Sequence, residues 1–345
     1  MANTIRVVQS LAGAPFGGAE SFYTRLVCAL AQNPALQQTA LTRANPQRIS
    51  QLQAAGVSVQ TFRFGSPLDL LDRHSYRKTL RALDPDVVLT YMSRASDITP
   101  AGNYRMVCRL GHFYNLKYYR HADYWIGNTL GICDYLVKGG MPAERVVHIS
   151  NFADEAPAAP LPRDSFGTPP DRPLLLAAGR LHTNKAFDTL LRALARVPEA
   201  TLWLAGDGPE RSNLETLSQE LHISERVRFL GWRNDVASLM QTADLFICPS
   251  RHEGLGGIVL ESWLHGCPVI ATNSQGPSEL IQNGHTGLLT PVDEYAALAD
   301  TINQLLQNPR QATCLADNAR VEYSKHHSTA SISRQYAELF AGIAG

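Results

Sequence analysis

The sequence lacks an excess of charge of either sign. Its 31 Lys and Arg residues balance its 31 Asp and Glu residues, whereas a general nucleic-acid binder carries a basic surplus. No apolar run approaches the ~18–20 residues that a membrane span needs, and the amino terminus has no secretory signal pattern. We therefore expect no nucleic-acid partner and a cytosolic location, with the inner face of the cytoplasmic membrane as the alternative.

Cysteine is sparse and unclustered. The six cysteines are scattered singly, without a Cys-x-x-Cys pair, so we expect neither a metal site nor a disulfide framework. Cys248 and Cys267 stand in apolar strand patterns and are predicted to be small core residues. A G-x-G-x-x-G sequence is also absent, which disfavours an ordinary dinucleotide-dependent dehydrogenase.

What the chain does contain is a repeated alternation of short apolar strands and helices. This alternation predicts an α/β fold, and 345 residues suit two Rossmann-like, doubly wound parallel-sheet domains. Six prolines without periodicity in residues 153–173 indicate an interdomain linker. We place the domains at 1–155 and 174–325, with the linker at 156–173. A last helix is predicted at 326–345. It could pack on either domain, and one option is that it packs back on the first.

The basic residues are concentrated in the first half. Residues 1–155 hold 16 Lys or Arg against 11 Asp or Glu, a net charge of +5, which leaves −5 for the rest. An amphipathic helix is predicted over 68–83, and its polar side carries Arg73, His74, Arg77, Lys78 and Arg81. This side is either simply solvated or meets an anionic membrane or acceptor. The aromatic and basic segment 111–121 suits a sugar or lipid-linked acceptor, or else caps a sheet edge.

The strongest chemical signal lies in residues 253–261, where two glutamates flank a glycine-rich turn. Glu253 follows an apolar segment predicted as a buried strand, so it lies at the carboxyl edge where open α/β sheets bind ligands. The backbone amides of Gly256 to Val259 would point out of the first turn of the next helix and form an anion site. Glu261 falls one turn further along that helix.

Other strand-to-helix loops of the chain carry two cations and two glycines. Arg180 and Lys185 belong to one loop after the first strand of the second domain, and we expect them to converge with the helix amides on one anionic group. Fixed positive charge there would stabilise a departing diphosphate. Gly17 and Gly18 stand in the first strand-to-helix turn of the chain, where a backbone without Cβ lets a phosphate or sugar come close.

Together these motifs resemble the family-4 retaining glycosyltransferases of the GT-B fold. The matching segments are Gly17-Gly-Ala-Glu20, Gly179-Arg-Leu-x-x-x-Lys185, Gly206-Asp-Gly-Pro209, Phe229-Leu-Gly231, Pro249-Ser-x-x-Glu253-Gly-x6-Glu261 and Pro268-Val-Ile-Ala271. The resemblance runs from the first strand to about residue 310. It implies an active-site cleft between two Rossmann-like domains, with a nucleotide-sugar donor held mainly by the second.

The resemblance implies catalytic roles for four residues. Arg180 and Lys185 would bind the donor diphosphate, and Glu253 would accept hydrogen bonds from hydroxyls of the donor sugar. His112 matches a histidine that lies near the donor sugar in this family. The chain departs from the pattern in places: Ala186 stands where family members commonly place glycine after the lysine, Leu255-Gly256 replaces a common aromatic or proline, and the first domain is divergent.

Further donor contacts are implied for residues around these four. Glu261 would bind the ribose hydroxyls, and the remaining donor-binding residues are Gly17, Gly18, Leu230, Gly256, Gly257 and Ile258. Gly17 and Gly18 would close over the phosphates from the first domain, while Gly256, Gly257 and Ile258 would act through their backbone amides.

The implied reaction is a metal-independent transfer of a hexose-type sugar that uses no cofactor. The donor would be a UDP-sugar, or alternatively a GDP-sugar, and the acceptor a glycan or lipid-linked glycan of lipopolysaccharide or exopolysaccharide synthesis. Glu253 and Glu261 would serve as binding groups and not as a glycosidase carboxylate pair. The alternatives are a nucleotide-sugar epimerase or phosphorylase with the same cleft, and a non-catalytic nucleotide-sugar-binding module.

Overall fold

A computed structural model describes residues 4–15, 17–65 and 69–344. The chain forms two compact units. The first extends to Phe152 and takes up the carboxyl-terminal segment from Thr329, and the second comprises Ala153–Ser328. Each unit is built on one parallel sheet flanked by helices, so the predicted α/β fold of two doubly wound domains is confirmed.

The first unit contains a seven-stranded sheet in the order β3-β2-β1-β4-β5-β6-β7. Every neighbouring pair in it is parallel. Its strands are β1 (Ile5–Leu11), β2 (Leu36–Thr42), β3 (Ser58–Thr61), β4 (Val87–Tyr91), β5 (Arg105–Leu110), β6 (Tyr124–Gly127) and β7 (Val146–His148). Its helices are α1 (Gly18–Leu30), α2 (Pro46–Ala54), α3 (Leu70–Leu83), α4 (Met92–Ile98) and α5 (Leu130–Lys138).

The second unit contains a six-stranded parallel sheet in the order β10-β9-β8-β11-β12-β13. Its strands are β8 (Leu174–Ala178), β9 (Thr201–Ala205), β10 (Val227–Gly231), β11 (Leu245–Cys248), β12 (Val269–Thr272) and β13 (Leu288–Thr290). Its helices are α6 (Phe187–Leu194), α7 (Arg211–Glu220), α8 (Val236–Thr242), α9 (Gly257–Leu264), α10 (Gln275–Leu280), α11 (Tyr295–Leu306) and α12 (Pro309–Glu322).

Several central strands are buried along their whole length because helices cover both faces of each sheet. Strands β4, β8, β9 and β11 are buried at every residue. Cys248 and Cys267 lie in the core of the second unit, as their apolar surroundings predicted. Side-chain caps mark some of the helix starts. Asn45 accepts a hydrogen bond from the Arg48 amide at 2.9 Å, directly before Pro46.

The last helix, α13 (Thr329–Ile343), packs on the first unit. It buries Ile332, Tyr336 and Phe340 in the core formed by β1, β4 and α1. The Tyr336 hydroxyl accepts a hydrogen bond from Arg109 Nε at 3.1 Å. The proline-rich residues 153–173 belong to the second unit, where the Arg163 guanidinium pairs with Asp244 at 2.5 Å.

Helices α4, α5 and α12 present little apolar surface to the core. Each buries only two or three side chains, so its apolar periodicity is weak. Leu68, the predicted start of α3, lies outside the described residues, and the helix is observed from Leu70. Among the described helices, none combines the length and hydropathy that a bilayer span requires.

Candidate functional site

The candidate site of the second unit lies where the strand order of its sheet reverses. Strand β8 pairs with β9 on one side and with β11 on the other, so the loops that follow β8 and β11 leave the sheet side by side at its carboxyl edge. Open α/β sheets bind ligands at this switch point. The first loop carries Arg180 and Lys185, and the second carries Glu253.

Lys185 and Glu253 form an ion pair between these two loops. The Lys185 ammonium contacts Glu253 Oε2, and the two side chains are 25% and 15% exposed. The Ser250 hydroxyl donates to the same carboxylate oxygen at 3.2 Å. Burial alone would lower the pKa of Lys185, but the charge and hydrogen bond of Glu253 outweigh it and hold that pKa above its ordinary value. The lysine is therefore a fixed positive charge at neutral pH.

Arg180 lies on the same loop, directly after Gly179, and its side chain is exposed. The loop ends in a 3-10 turn over Thr183–Lys185, and Ala186 follows with φ 50° and ψ 38°. This left-handed conformation is costly for a residue with a Cβ. Glycine would adopt this conformation without that cost. Ala186, which departs from the family pattern, therefore carries local backbone strain.

Helix α9 begins at the glycines predicted to bind the donor. Gly256 precedes it with φ 80°, a left-handed conformation that favours glycine. A Cβ on Gly257 would meet no atom within 4 Å, so the backbone is open there. The amides of the first turn, which include Gly257 and Ile258, have no partner within the helix and point toward its amino-terminal end. Glu261 follows one turn later and is half-buried.

Leu230 lies in β10, which forms one edge of the second sheet. Its side chain is partly buried against the core cluster that contains Trp203 and Trp263. The structure therefore places Leu230 two strands away from β8, and a donor contact at this position remains a prediction.

In the first unit, Gly17 and Gly18 open α1, as predicted for a strand-to-helix turn. The turn is held from inside by Glu20, which is buried and accepts a hydrogen bond from the Ala14 amide at 2.6 Å. A Cβ on Gly17 would lie 2.3 Å from Glu20 Oε2, whereas Gly18 faces open space. The Glu20 carboxylate thus fills the space beside Gly17, and Gly18 leaves the turn accessible.

His112 follows β5 and is exposed. Its ring lies 6.2 Å from the Phe113 ring and 5.7 Å from the Tyr114 ring, measured between centroids. The carbonyl of His112 accepts the Tyr114 amide at 2.9 Å. The histidine therefore stands at the carboxyl edge of the first sheet, at the start of the aromatic segment predicted to meet an acceptor.

Comparison with known proteins decides the family. Residues 161–322 match the family described as "Glycosyl transferases group 1". A lipopolysaccharide core biosynthesis glycosyltransferase of Rhizobium meliloti, LpsE, is 35% identical over 330 residues, which cover 94% of this chain and 96% of the relative. The chain belongs to the group 1 glycosyltransferases. A second Rhizobium meliloti glycosyltransferase of this type, LpsD, is 31% identical over 94% of this chain and 95% of its own length.

Solved structures agree on the fold of the glycosyltransferase. The HepE protein of Anabaena in complex with UDP superimposes with a TM-score of 0.84 at 23% identity, over 98% of this chain and 100% of that one. The same Anabaena protein has also been solved with UDP-glucose, again with a TM-score of 0.84, at 22% identity and with coverage of 98% and 100%. This likeness identifies the GT-B fold.

One residue that joins the Arg180 loop and the Glu253 loop of the glycosyltransferase was not predicted from the sequence. Arg251 donates to the Thr183 carbonyl at 2.7 Å and to Asp188 at 3.0 and 2.8 Å. Its backbone amide donates to the Asn184 carbonyl at 2.8 Å. Arg251 occupies one of the two unspecified positions of the Pro249-Ser-x-x-Glu253 motif. The motif therefore did not indicate a role for it.

The Gly206-Asp-Gly-Pro209 motif of the glycosyltransferase also has a supporting role. A Cβ on Gly206 would lie 1.9 Å from the Gly179 carbonyl oxygen, and one on Gly208 would lie 2.4 Å from the Leu181 carbonyl oxygen. The Leu181 amide donates to the Asp207 carbonyl at 3.0 Å. The glycines of this motif therefore let one turn pack directly beneath the Arg180 loop.

Cys248 lies beneath Glu253 and is chemically quiet. Burial, reinforced by the Glu253 charge, raises the pKa of its thiol to about 11, so it stays protonated and poorly nucleophilic at neutral pH. In the described part of the chain, no three His, Cys, Asp or Glu side chains are grouped in a way that would hold a metal ion.

Proposed function

We propose that this glycosyltransferase moves a hexose-type sugar from a nucleoside diphosphate sugar to a glycan of the lipopolysaccharide core, with retention of anomeric configuration. The donor is a UDP-sugar, with a GDP-sugar as the alternative. The names of its two Rhizobium relatives support the acceptor class, and the UDP and UDP-glucose complexes of the Anabaena protein support the donor class.

One observation carries the proposal, namely the Lys185–Glu253 ion pair at the switch point of the second sheet. It places a fixed cation and a carboxylate beside the exposed Arg180 and on the same edge as the open start of α9. A diphosphate needs cations and amide donors, and a sugar needs a carboxylate that accepts from vicinal hydroxyls. The donor demands this combination of groups.

The reaction breaks the bond between the anomeric carbon and the oxygen of the β-phosphate. The acceptor hydroxyl oxygen forms the new bond on the same face, and its proton passes to an oxygen of the departing phosphate. Arg180, Lys185 and the α9 amides stabilise the charge that develops on the diphosphate, so no metal ion or cofactor is expected. Glu253 orients the sugar, Glu261 binds the ribose, and His112 lies near the donor sugar.

Titration calorimetry with UDP, GDP and ADP, each with and without EDTA, tests the donor site. We expect UDP to bind most tightly and EDTA to have no effect. Lys185→Ala should weaken binding about ten- to a hundredfold, the effect of losing a hydrogen bond to a charged group. Arg192→Ala removes an exposed cation of α6 and serves as the matched control. Wild-type affinity in Lys185→Ala would refute the phosphate assignment.

A transfer assay with UDP-sugars and a lipopolysaccharide core oligosaccharide tests the activity. We expect a new glycosidic bond whose anomeric configuration, read by NMR, is that of the donor. Conversion of the donor without acceptor would indicate an epimerase, and UDP binding without any transfer would indicate a binding module. Cell fractionation tests the expected cytoplasmic or inner-membrane-face location.

A further inference from the structure

The first unit contains a cavity of about 480 Å³ that the sequence motifs do not assign. This volume is within the range of roughly 300–1,000 Å³ that is usual for small-ligand sites. The cavity lies at the carboxyl edge of the first sheet, because Ala12, Arg43 and Met92 in its wall directly follow β1, β2 and β4. Strand β1 lies between β2 and β4, so the cavity occupies the switch point of this sheet.

Two guanidinium groups of the wall converge on one backbone oxygen. Arg43 Nη2 donates to the Phe64 carbonyl at 2.7 Å, and Arg94 Nη1 donates to the same oxygen at 2.9 Å. Within the described chain, neither arginine has a carboxylate within 4.0 Å. Burial lowers the pKa of Arg43, the Arg94 charge lowers it further, and Asp72 offsets part of this effect. Two like charges are thus held side by side.

The acidic residues of the wall are already engaged. Asp72 accepts the backbone amides of Arg63 and Phe64 at 3.0 and 2.8 Å. Asp97 pairs with Arg73, the third arginine of the wall, at 3.5 Å. The wall thus carries three arginines against two aspartates, a net charge of +1, and an anionic ligand beside Arg43 and Arg94 would balance it.

The wall also contains two tyrosines and two residues in strained backbone conformations. Tyr114 and Tyr118 line the cavity, and the Tyr114 ring stacks on Tyr119 with centroids 6.2 Å apart. Phe64 and Met92 adopt left-handed conformations with φ 46° and 66°. Non-glycine residues persist in such conformations where the surrounding structure over-determines them, which is frequent at ligand sites.

From these contacts we propose that the cavity binds the acceptor sugar, and that this sugar bears a phosphate or carboxylate group held between Arg43 and Arg94. The sugar ring packs against Tyr114 and Tyr118, whose rings offer an apolar face and whose hydroxyls offer hydrogen bonds. This assignment rests on the proposed glycosyl transfer. It names an anionic glycan as the substrate class of the first unit.

Binding of simple sugars tests this proposal directly. Glucose 6-phosphate, glucuronate, glucose and inorganic phosphate are titrated into the full chain by saturation-transfer NMR. We expect the phosphate sugar, the carboxylate sugar or both to bind about tenfold or more tightly than glucose and inorganic phosphate. The stronger of the two anions identifies the natural group. Equal binding of glucose and the anionic sugars, or no binding of any sugar at millimolar concentration, would overturn the proposal.

Arg94→Gln is the decisive variant because, among the described residues, the Arg94 side chain makes a single hydrogen bond, to a backbone carbonyl, so folding should be little affected. We expect it to lower the affinity for the anionic sugar about tenfold and to leave UDP affinity unchanged. Arg77→Gln, on the exposed side of α3, is the matched control and should bind as the wild type does. Unchanged anionic-sugar affinity in Arg94→Gln would refute the site.

Binding to UDP, binding to phosphatidylglycerol vesicles and a transfer assay separate the competing outcomes. Loss of UDP binding in Arg94→Gln would assign the cavity to the donor, and loss of binding to phosphatidylglycerol vesicles in that variant would assign it to a membrane; either result overturns the acceptor proposal. If the wild type binds the anionic sugar but not UDP, the donor assignment fails while the cavity remains an anionic-sugar site. Transfer to core oligosaccharide before and after chemical dephosphorylation then distinguishes phosphate from carboxylate on the acceptor.

Discussion

Arg251 and Asp188 form a two-pronged ion pair, with Nη1 and Nη2 of the guanidinium lying 3.0 and 2.8 Å from the two carboxylate oxygens. The same guanidinium reaches Asp293 through Nε at 2.6 Å. Because Arg251 precedes Glu253 by two residues and Asp188 follows Lys185 by three, the pair connects the two loops that carry the candidate donor groups.

We predict that Arg251→Gln weakens UDP binding about tenfold although the side chain is not expected to touch the donor. The loss would come from poorer placement of Lys185 and Glu253. Arg251→Lys keeps the positive charge but lacks the two-pronged guanidinium, so we expect it to restore little of the UDP affinity. Calorimetry of UDP binding measures the effect, with Arg192→Ala as control. Wild-type affinity in Arg251→Gln would show that the loops hold their places without this pair.

Two glycines of the second unit should respond oppositely to alanine. Gly206→Ala places a Cβ 1.9 Å from the Gly179 carbonyl oxygen at φ 140°, so we expect a loss of about 1–3 kcal/mol in unfolding free energy. Gly257→Ala meets open space and should leave stability equal or slightly raised, while its methyl group obstructs the α9 amides and weakens UDP binding. Denaturant unfolding and calorimetry on both variants separate the two effects.

Ala186→Gly should stabilise the protein. Ala186 has φ 50°, and relief of this left-handed conformation is worth about 1 kcal/mol, reduced by the greater backbone freedom of glycine in the unfolded chain. The melting temperature measures the change. Ala195→Gly, at an ordinary right-handed position after α6, is the control and should destabilise. A lower melting temperature for Ala186→Gly would contradict the strain argument.

His112→Ala should lower turnover more than donor affinity. The ring is exposed and contacts only neighbouring aromatic rings among its described partners, so its removal should leave the fold intact. Steady-state kinetics should show a fall in kcat with little change in UDP affinity. An equal loss in UDP affinity and kcat would instead assign His112 to donor binding.

Unfolding free energy should fall below about pH 4, because several carboxylates have pKa values held below the ordinary value of about 3.9. Hydrogen bonds from Arg6 and Arg233 lower the pKa of Asp86 and Asp235. Burial would raise the pKa of Asp188, but Arg251 outweighs it and the net direction is downward. These groups stabilise the fold above the unfolded-state pKa, and this contribution disappears as pH falls through the folded-state values.

Urea unfolding at a series of pH values between about 7 and 3 checks this expectation. Asp188→Asn removes one of the three groups, so its stability should fall less steeply with acid than that of the wild type. Asp207→Asn, at an exposed acid, provides the comparison. An identical acid dependence in Asp188→Asn would exclude Asp188 from the effect.

The loops that carry Lys185 and Glu253 show how far sequence reasoning extends. The spacing of glycines, strand and glutamates predicted that Lys185 and Glu253 would lie at carboxyl edges, and they do. Their direct pairing across 68 residues follows from the placement of β8 beside β11, which no local pattern specifies. Arg251 was missed for the same reason, since its partners come from α6 and from the segment before α11.

The cavity of the first unit shows where sequence reasoning ends. The sequence indicated a basic helix and an aromatic segment separately, but Arg43 and Arg94 follow different strands and carry no shared motif. Their proximity depends on the order β2-β1-β4 and on the Phe64 carbonyl that both contact.

The sequence by itself determined the α/β class, the strand positions and the carboxyl-edge loops, because apolar periodicity and glycine placement are set by neighbours along the chain. Tertiary structure decided which loops meet, how Arg251 connects them, that α13 returns to the first unit, and that two arginines face one cavity. These outcomes depend on strand order and on contacts between residues far apart in the chain, and local sequence propensity specifies neither.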